Sequence, residues 1–255
     1  MLTEERQNSI LQILRKEKTA TTHALAQLLY VSEATIRRDL TEMEINGLLR
    51  RSHGGAVLLE LDAGEPSFFV RKEENAVEKR AIAQALLPHL MHDRTFFMDS
   101  SSTVRSITTV WDAAGKTLIT TGIETALLFS RQKDVEIILL GGGVHYLSGS
   151  VRGVLTLHQL EDFRADVFLC SCGGISPDGA LTESTIEHGE IKASMLRRAK
   201  KNILLVDHTK FSRFRTYAYA KLQDFDMLVT DEMPPDAIVE LCGLSDVEIV
   251  VAAHV

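Results

Sequence analysis

Long apolar runs are missing from this chain. None approaches the ~18–20 residues that span a bilayer as a helix, which excludes that class of membrane protein. The first residues, Met1-Leu2-Thr3-Glu4-Glu5-Arg6, lack the basic-then-apolar pattern of an export signal, so none is expected. Cysteine is scarce, with three in 255 residues, which excludes a disulfide framework. Cys170 and Cys172 lie one residue apart in an apolar run and Cys242 is far away, so they read as small buried side chains rather than a redox pair. The nine histidines are scattered, and none sits at a metal-ligand spacing from Cys or carboxylates. No metal and no cofactor is therefore expected, and the compartment reads as cytoplasmic. An excess of positive charge is also absent, since the net charge is −7.

An apolar fraction of 45% with 25% charged residues is that of a globular protein with a full core. The length suits one large domain or a small domain joined to a larger one. Residues 1–60 hold eight Lys/Arg and eight Asp/Glu, so that segment is neutral, and residues 61–255 carry the whole −7. A global −7 argues weakly against nucleic acid, but what matters is where the positive charges cluster.

Thr3 opens a helix with apolar positions Ile10, Leu11, Ile13 and Leu14. A second helix follows Thr21-Thr22 and carries Leu25, Leu28 and Leu29. After the break at Tyr30-Val31-Ser32, Ser32 is a suitable N-cap for a third helix, Glu33 to about Ile45, stopped by Asn46-Gly47. Short helices joined tightly in this order make a helix-turn-helix. At ~100° per residue, Ile36, Leu40 and Met43 form the core stripe of the third helix. Ala34, Arg38 and Thr41 lie opposite, with Arg37 on the flank. A small residue, two arginines and a hydroxyl suit a face that enters the major groove, and a solvated charged face is the plain alternative. The stretch Leu48–Leu58 then reads as strand, Gly54-Gly55 turn, strand, a hairpin wing with Arg50, Arg51 and His53 near its tip. Basic side chains there suit the phosphate backbone.

The run Val31-Ser32-Glu33-Ala34-Thr35-Ile36-Arg37-Arg38-Asp39-Leu40, then Glu44, Gly47 and Arg51-Ser52-His53-Gly54-Gly55-Ala56, resembles the DNA-binding signature of the DeoR family of sugar-metabolism repressors. The resemblance implies that Arg37 and Arg38 lie on the DNA side, and with the helix face and wing read above, Ser32, Ala34, Thr35, Arg37, Arg38, Thr41, Arg50, Arg51 and His53 are the residues expected to face double-stranded operator DNA. It also implies a homo-oligomer, dimer or tetramer, reading repeated half-sites, and a structural Asp39 paired with a nearby basic side chain.

Residues 59–75 lose periodicity and include Gly64 and Pro66, so they read as a linker between a winged helix at 1–58 and a domain at 76–255. Phe68 and Phe69 are expected to pack that linker onto a domain. A helix runs from Ala76 to about Leu90. Strands are expected at Thr95–Met98, Leu118–Thr120, Val135–Leu140, Val167–Ser171, Ile203–Val206, Met227–Val229 and Val247–Val251, with helices between several of them. This alternation predicts an α/β fold with a mostly parallel sheet, whose ligands bind at the carboxyl ends of strands.

Four strand ends carry informative loops. Asp99-Ser100-Ser101-Ser102-Thr103 offers hydroxyls and backbone N–H groups at a helix start, a natural anion site, although N-capping alone needs only one hydroxyl. Thr120-Thr121-Gly122 repeats the pattern. Gly141-Gly142-Gly143 permits close backbone approach, and a tight turn explains it equally. Asp207-His208-Thr209-Lys210-Phe211 puts a lysine just past a buried strand, a point charge for phosphate or a surface side chain. Glu187, Glu190 and Lys192 on a later helix can bind sugar hydroxyls or simply face solvent.

The second half is also similar to the DeoR family effector domain, through the 99–103 loop, Thr120-Thr121, Gly141-Gly142, Gly153, Gly173, Gly179, Glu187, Lys192 and 207–211. That domain resembles ribose-5-phosphate isomerase. The resemblance implies that Asp99, Ser100, Ser101, Ser102, Thr103, Thr120, Thr121, Gly141, Gly142, Gly173, Glu187, Lys192, Asp207 and Lys210 line a pocket for a small phosphorylated sugar. Thr121-Gly122 replaces a frequent Thr-Asn, and His188 stands where a second acidic residue is common. The expected function is a repressor of a carbohydrate-metabolism operon controlled by that sugar phosphate. The rival is a phosphosugar isomerase with an added DNA-binding segment, for which Asp99, Glu187 and Lys210 supply candidate bases. An enzyme has no need of a complete winged helix, so no catalytic residue is assigned.

Overall fold

The computed structural model describes residues 2–45, 47–58, 60–61 and 65–253. The chain divides into two compact units, Met1–Glu73 with Tyr146–Ser148, and Glu74–His145 with Gly149–Val255. Asn46 of the expected helix stop, and residues 59 and 62–64 of the expected linker, lie outside the described residues.

The first unit is built from α1 (Thr3–Glu17), β1 (Thr19–Thr21), α2 (Thr22–Leu28), α3 (Glu33–Ile45), β2 (Leu49–Ser52) and β3 (Gly55–Leu58). The 3.6-residue periodicity becomes its core: Ile10, Leu11 and Leu14 of α1 meet Leu25 of α2 and Ile36, Leu40 and Met43 of α3. Leu28 departs from the expectation. It is exposed, because the apolar face of α2 is met by Leu25 and Ala26. The wing is antiparallel, with Leu49 opposite Leu58 and Ser52 opposite Gly55. Strand β1 extends it to three strands in the order β1-β3-β2. Gly55 is required there, since a Cβ would stand 2.1 Å from the Ala20 carbonyl oxygen. Short strands β4 (Glu60–Leu61) and β5 (Glu65–Pro66) pair with each other, and α4 (Phe68–Arg71) buries Phe68 and Val70.

The second unit opens with α5 (Ala76–Leu86), continued by a tighter turn over Leu87–Leu90. Its centre is a seven-stranded sheet of β6 (Thr95–Met98), β7 (Thr117–Thr120), β8 (Glu136–Leu139), β11 (Ala165–Cys170), β14 (Ala199–Val206), β16 (Met227–Thr230) and β17 (Glu248–Val251). Every neighbouring pair in it is parallel. Between these strands lie α6 (Ser102–Ser106), α7 (Ile123–Phe129), β9 (Gly143–His145), β10 (Ser150–Arg152), α8 (Val154–Leu160), β12 (Gly174–Ile175), β13 (Ala180–Glu183), α9 (Ile186–Leu196), β15 (Tyr217–Lys221) and α10 (Asp236–Leu244). Both sheet faces are covered, which explains why the strands read as unbroken apolar runs. Phe96 and Met98 face one layer with Ile82 and Leu86 of α5. Phe97 faces the other with Leu160, Ile191, Met195 and Ile238 of α8, α9 and α10.

The strand order is β17-β16-β14-β11-β6-β7-β8. From β6 the chain builds outward through β7 and β8, then crosses back to β11 and builds the other way. The connections after β6 and β11 therefore diverge, leaving a crevice at their carboxyl ends where open α/β sheets bind ligands. The antiparallel sheet β12-β13-β15, absent from the sequence reading, is a second small layer in this unit.

Candidate functional site

In the first unit the hydroxyl of Ser32 accepts the Thr35 N–H at 3.1 Å and meets the Thr35 hydroxyl at 2.9 Å, capping α3. Ala34, Arg37, Arg38 and Thr41 are exposed along the helix, and Arg50, Arg51 and His53 are exposed on the wing. Their cations differ in availability. Arg37 is paired with Glu33 at 2.5 Å, and Glu33 also receives His23 at 3.1 Å. Arg51 donates to the Thr41 hydroxyl at 2.9 Å, and its backbone N–H reaches Glu44 at 2.8 Å, tying wing to helix. The side chains of Arg38 and Arg50 make no hydrogen bond or ion pair among the described residues, which leaves both guanidinium groups for an external anion or base edge. Beneath this face Asp39 receives Arg6 through two bonds, Nε to Oδ2 at 2.5 Å and Nη2 to Oδ1 at 3.0 Å. The hydrogen bond that Arg6 donates to Asp39 raises its pKa further, so the guanidinium stays charged.

In the second unit the sheet's crevice gathers the loops after β6, β7, β11 and β14. Asp99 is buried and organises the first: its Oδ1 accepts the Ser101 N–H at 2.8 Å and its Oδ2 the Ser171 N–H at 2.9 Å. Ser101 caps α6, accepting from the Val104 N–H. Ser102 and Thr103 are buried, and Ser100 and Ser101 are half-buried, so the four hydroxyls are not equally presented. Thr120 and Thr121 are both buried, and the Thr120 hydroxyl accepts the Gly122 N–H at 3.0 Å.

Lys192 lies at the join of β6, β11 and β13. It is buried, and its ammonium donates to the Ser171 carbonyl at 2.7 Å and to Glu183, with Asp99 Oδ2 at 3.0 Å. Burial opposes its charge, yet Asp99 and Glu183 outweigh that and raise its pKa well above the ordinary lysine value. Two hydrogen bonds and the ion pair with Asp99 hold its ammonium inside the protein, so it braces the loops from behind. Glu183, which the sequence reading missed, completes the cluster. Cys170 and Cys172 are buried beside it, and burial next to Glu183 pushes the Cys172 thiol up to about 12.

Lys210 is different. It is half-buried in the loop after β14; its backbone N–H donates to the Asp207 carbonyl at 3.0 Å, and its ammonium makes no hydrogen bond or ion pair among the described residues. Burial would raise the pKa of neighbouring Asp207, but the charge of Lys210 and a hydrogen bond from Thr209 hold it below the usual carboxylate range. The carboxylate of Asp207 also receives Asn75 at 3.2 Å. Glu187 is exposed and stands 3.8 Å from Arg152. Gly141 and Gly142 pack on α8: the Gly141 N–H donates to Gln159 at 2.8 Å, and Gly142 has φ +148 with no room for a Cβ beside Thr156. A Cβ on Gly173 would press on Arg215 and Thr182. These three glycines thus have packing reasons of their own.

Among the described residues His208, Asp231 and Glu232 bring donor atoms within 4.8 Å of one another, although no spacing in the sequence signals it. His208 Nδ1 lies 2.6 Å from Asp231 Oδ2, and its backbone N–H reaches Oδ1 at 2.7 Å. The Asp231 hydrogen bond raises the His208 pKa. This pairing ties the β14 loop to the end of β16.

A winged helix with exposed cations on its outer face, in one chain with an α/β unit whose parallel sheet is covered on both faces and reverses its strand order between β6 and β11, defines a DNA-binding regulator with a sensor domain. Residues 6–61 match the DeoR-like helix-turn-helix domain, and residues 74–232 match the DeoR C terminal sensor domain. The chain is 33% identical over 252 residues to the HTH-type transcriptional repressor GlcR of Bacillus subtilis, covering 98% of this chain and 97% of that one. It is 28% identical over 238 residues to the glycerol-3-phosphate regulon repressor of Escherichia coli, covering 93% and 94%. A ribose 5-phosphate isomerase of Methanocaldococcus jannaschii overlaps 54% of this chain and 55% of its own at 14% identity, with a TM-score of 0.39. The α/β class rests on the sheet itself. The chain belongs to the DeoR family of transcriptional regulators. No helix among the described residues is long and apolar enough to cross a membrane.

Proposed function

We propose that this regulator represses a carbohydrate-metabolism operon from the cytoplasm, and that a phosphorylated sugar or related metabolite bound in the crevice controls its grip on operator DNA. The supporting observation is the contrast between two lysines at that crevice. Lys192 is held by Asp99, Glu183 and the Ser171 carbonyl, while the Lys210 ammonium, at a neighbouring strand end and near the charge of Asp207, makes no hydrogen bond or ion pair among the described residues. A half-buried ammonium beside hydroxyl-bearing loops matches a small anion of the phosphate class. Asp99 and Lys192 hold the 99–103 loop in position. Ser100, Thr120, Thr121, Asp207 and the edges at Gly141, Gly142 and Gly173 form its surroundings, and Glu187 offers a carboxylate to sugar hydroxyls. The name of the E. coli relative, a glycerol-3-phosphate regulon repressor, agrees with a phosphorylated effector.

On the DNA side, Arg38 reads a base, with Arg37 and the wing cations on phosphates and the hydroxyls of Ser32, Thr35 and Thr41 lining the face. Two copies or more present paired winged helices to repeated half-sites. Effector and operator then favour different arrangements of the same assembly, which is the coupling a sensor requires.

The test is calorimetry with sugar phosphates and their unphosphorylated sugars, alongside operator gel shifts. Lys210→Met keeps the stem and removes the charge. It is expected to bind operator normally and to lose most of its response to the phosphorylated effector, while the free sugar binds poorly even to the unaltered protein. Equal binding of sugar and sugar phosphate refutes the phosphate assignment, and steady turnover of a phosphosugar would restore the isomerase reading.

A further inference from the structure

Helix α2 ends in a closure that glycine normally makes. Beyond its last residues the Val31 N–H reaches back to the Ala26 carbonyl at 3.1 Å and the Tyr30 N–H to that of Gln27 at 3.4 Å. This pair of bonds is the Schellman pattern, whose turning residue must be left-handed and is ordinarily Gly, sometimes Asn, because a Cβ is crowded there. Here the turning residue is Tyr30, at φ +55. The described non-glycine residues with positive φ are Lys18, Tyr30, Asn75, Asp134, Ser212 and Asp246, and Tyr30 is the one aromatic among them. It is also 94% exposed, so packing within the chain offsets none of the strain.

A large ring held in a disfavoured backbone conformation and burying nothing has its reason outside the chain. Its position says where. Tyr30 lies two residues before Ser32, the cap of α3, in the turn that brings the recognition helix to DNA, and the exposed Ala34, Arg37 and Arg38 follow on that helix. In a helix-turn-helix the first turns of this helix enter the groove, so residues of the preceding turn meet the rim of phosphates. A phenol is a neutral donor of the kind that binds phosphate oxygen, and its ring can lie against the sugar.

We infer that Tyr30 is a DNA-backbone contact: its hydroxyl donates to a phosphate oxygen at the groove edge and so fixes how deep α3 sits. The inference rests on α3 being the recognition helix. It assigns a functional residue outside the reading face, at a site where stability is given up for binding.

Three variants of the full chain test it. Tyr30→Asn and Tyr30→Gly relieve the strain and should raise Tm by about 2–4 °C. Both should lower operator affinity about tenfold, the scale of one hydrogen bond to a charged group. Tyr30→Phe keeps the ring and the strain, and should leave Tm unchanged while losing a comparable affinity. Because the phenol is neutral, the slope of log affinity against log salt should match that of the unaltered protein in all three. Operator binding undiminished in the Asn and Gly variants overturns the inference and makes the ring a contact for another partner. An unchanged Tm in both overturns the strain argument. Arg38→Ala, run beside them, separates the two levels. If it too binds undiminished, the recognition-helix reading fails, whereas loss in Arg38→Ala alone leaves that reading standing and removes Tyr30 from it.

Discussion

Removing the Asp39 carboxylate takes from a buried guanidinium of the winged helix the partner that holds it through two bonds. Arg6 and Asp39 are side chains of α1 and α3 with 7% and 0% exposure, joined by two bonds of 2.5 and 3.0 Å. Breaking a buried pair by deleting one partner costs about 3–5 kcal/mol, because the remaining charge keeps its desolvation penalty and loses its compensation. Asp39→Asn retains one acceptor and should fall near the lower end, Asp39→Ala near the upper. A unit of roughly 70–75 residues has about 4–11 kcal/mol in total at ordinary stability per residue, so the alanine variant should bring it close to unfolding. Trp111, the single tryptophan, is buried in the α/β unit and gives an independent signal. In urea the helical circular-dichroism signal should begin to fall earlier in the variants, while the Trp111 transition moves less. The double replacement Arg6→Met with Asp39→Leu removes both charges for apolar groups and should recover most of the loss. Asp39 faces inward, so operator affinity, corrected for the fraction folded, should be unaltered. A cost of Asp39→Ala below about 1 kcal/mol, or a double variant no better than the single one, would refute the argument.

Two further outcomes follow from the second unit. Lys192→Met leaves Asp99 and Glu183 buried without a counter-charge, so urea unfolding should show a loss of about 3–5 kcal/mol, and a loss under 1 would mean the carboxylates have other partners. Asp166 is held down to about 2 by the hydrogen bond from Lys200 and by the Thr95 and Arg94 N–H groups. A depressed carboxylate stabilises the fold above its unfolded value and loses that contribution as pH falls through its folded one, so the window runs from about pH 4 to pH 2. Discounted for solvent screening the contribution is about 1 kcal/mol, and Asp166→Asn should flatten acid unfolding in that window.

The sequence carried every strand of the parallel sheet, because buried parallel strands are continuous apolar runs that need no knowledge of their neighbours. It also carried the three helices, the Ser32 cap and the wing hairpin, all set within a few residues of chain. The loops at the carboxyl ends were legible for the same local reason. Strand β1 was not, since Thr19–Thr21 is a strand only through its pairing with Gly55–Val57. The β12-β13-β15 layer likewise joins residues far apart in the chain.

The same division runs through the site. Residue type alone gave Lys192 and Lys210 equal standing, and the two have opposite fates once folded. Three partners at positions 99, 171 and 183 converge on Lys192, and no pattern along the chain can announce a convergence of that kind. Arg37 and Arg38 are adjacent and alike in sequence, yet Glu33 one turn back engages the first and leaves the second free. Tyr30 reads as an ordinary break between helices until its φ and its exposure are known. What the sequence by itself determined was the set of elements, their order and the kind of chemistry at each strand end, because these follow from short-range periodicity, capping and composition. Which charges are neutralised, which hydroxyls are presented and which residue is strained was decided only by the tertiary structure, because each depends on groups that chain separation hides and packing brings within a few ångströms.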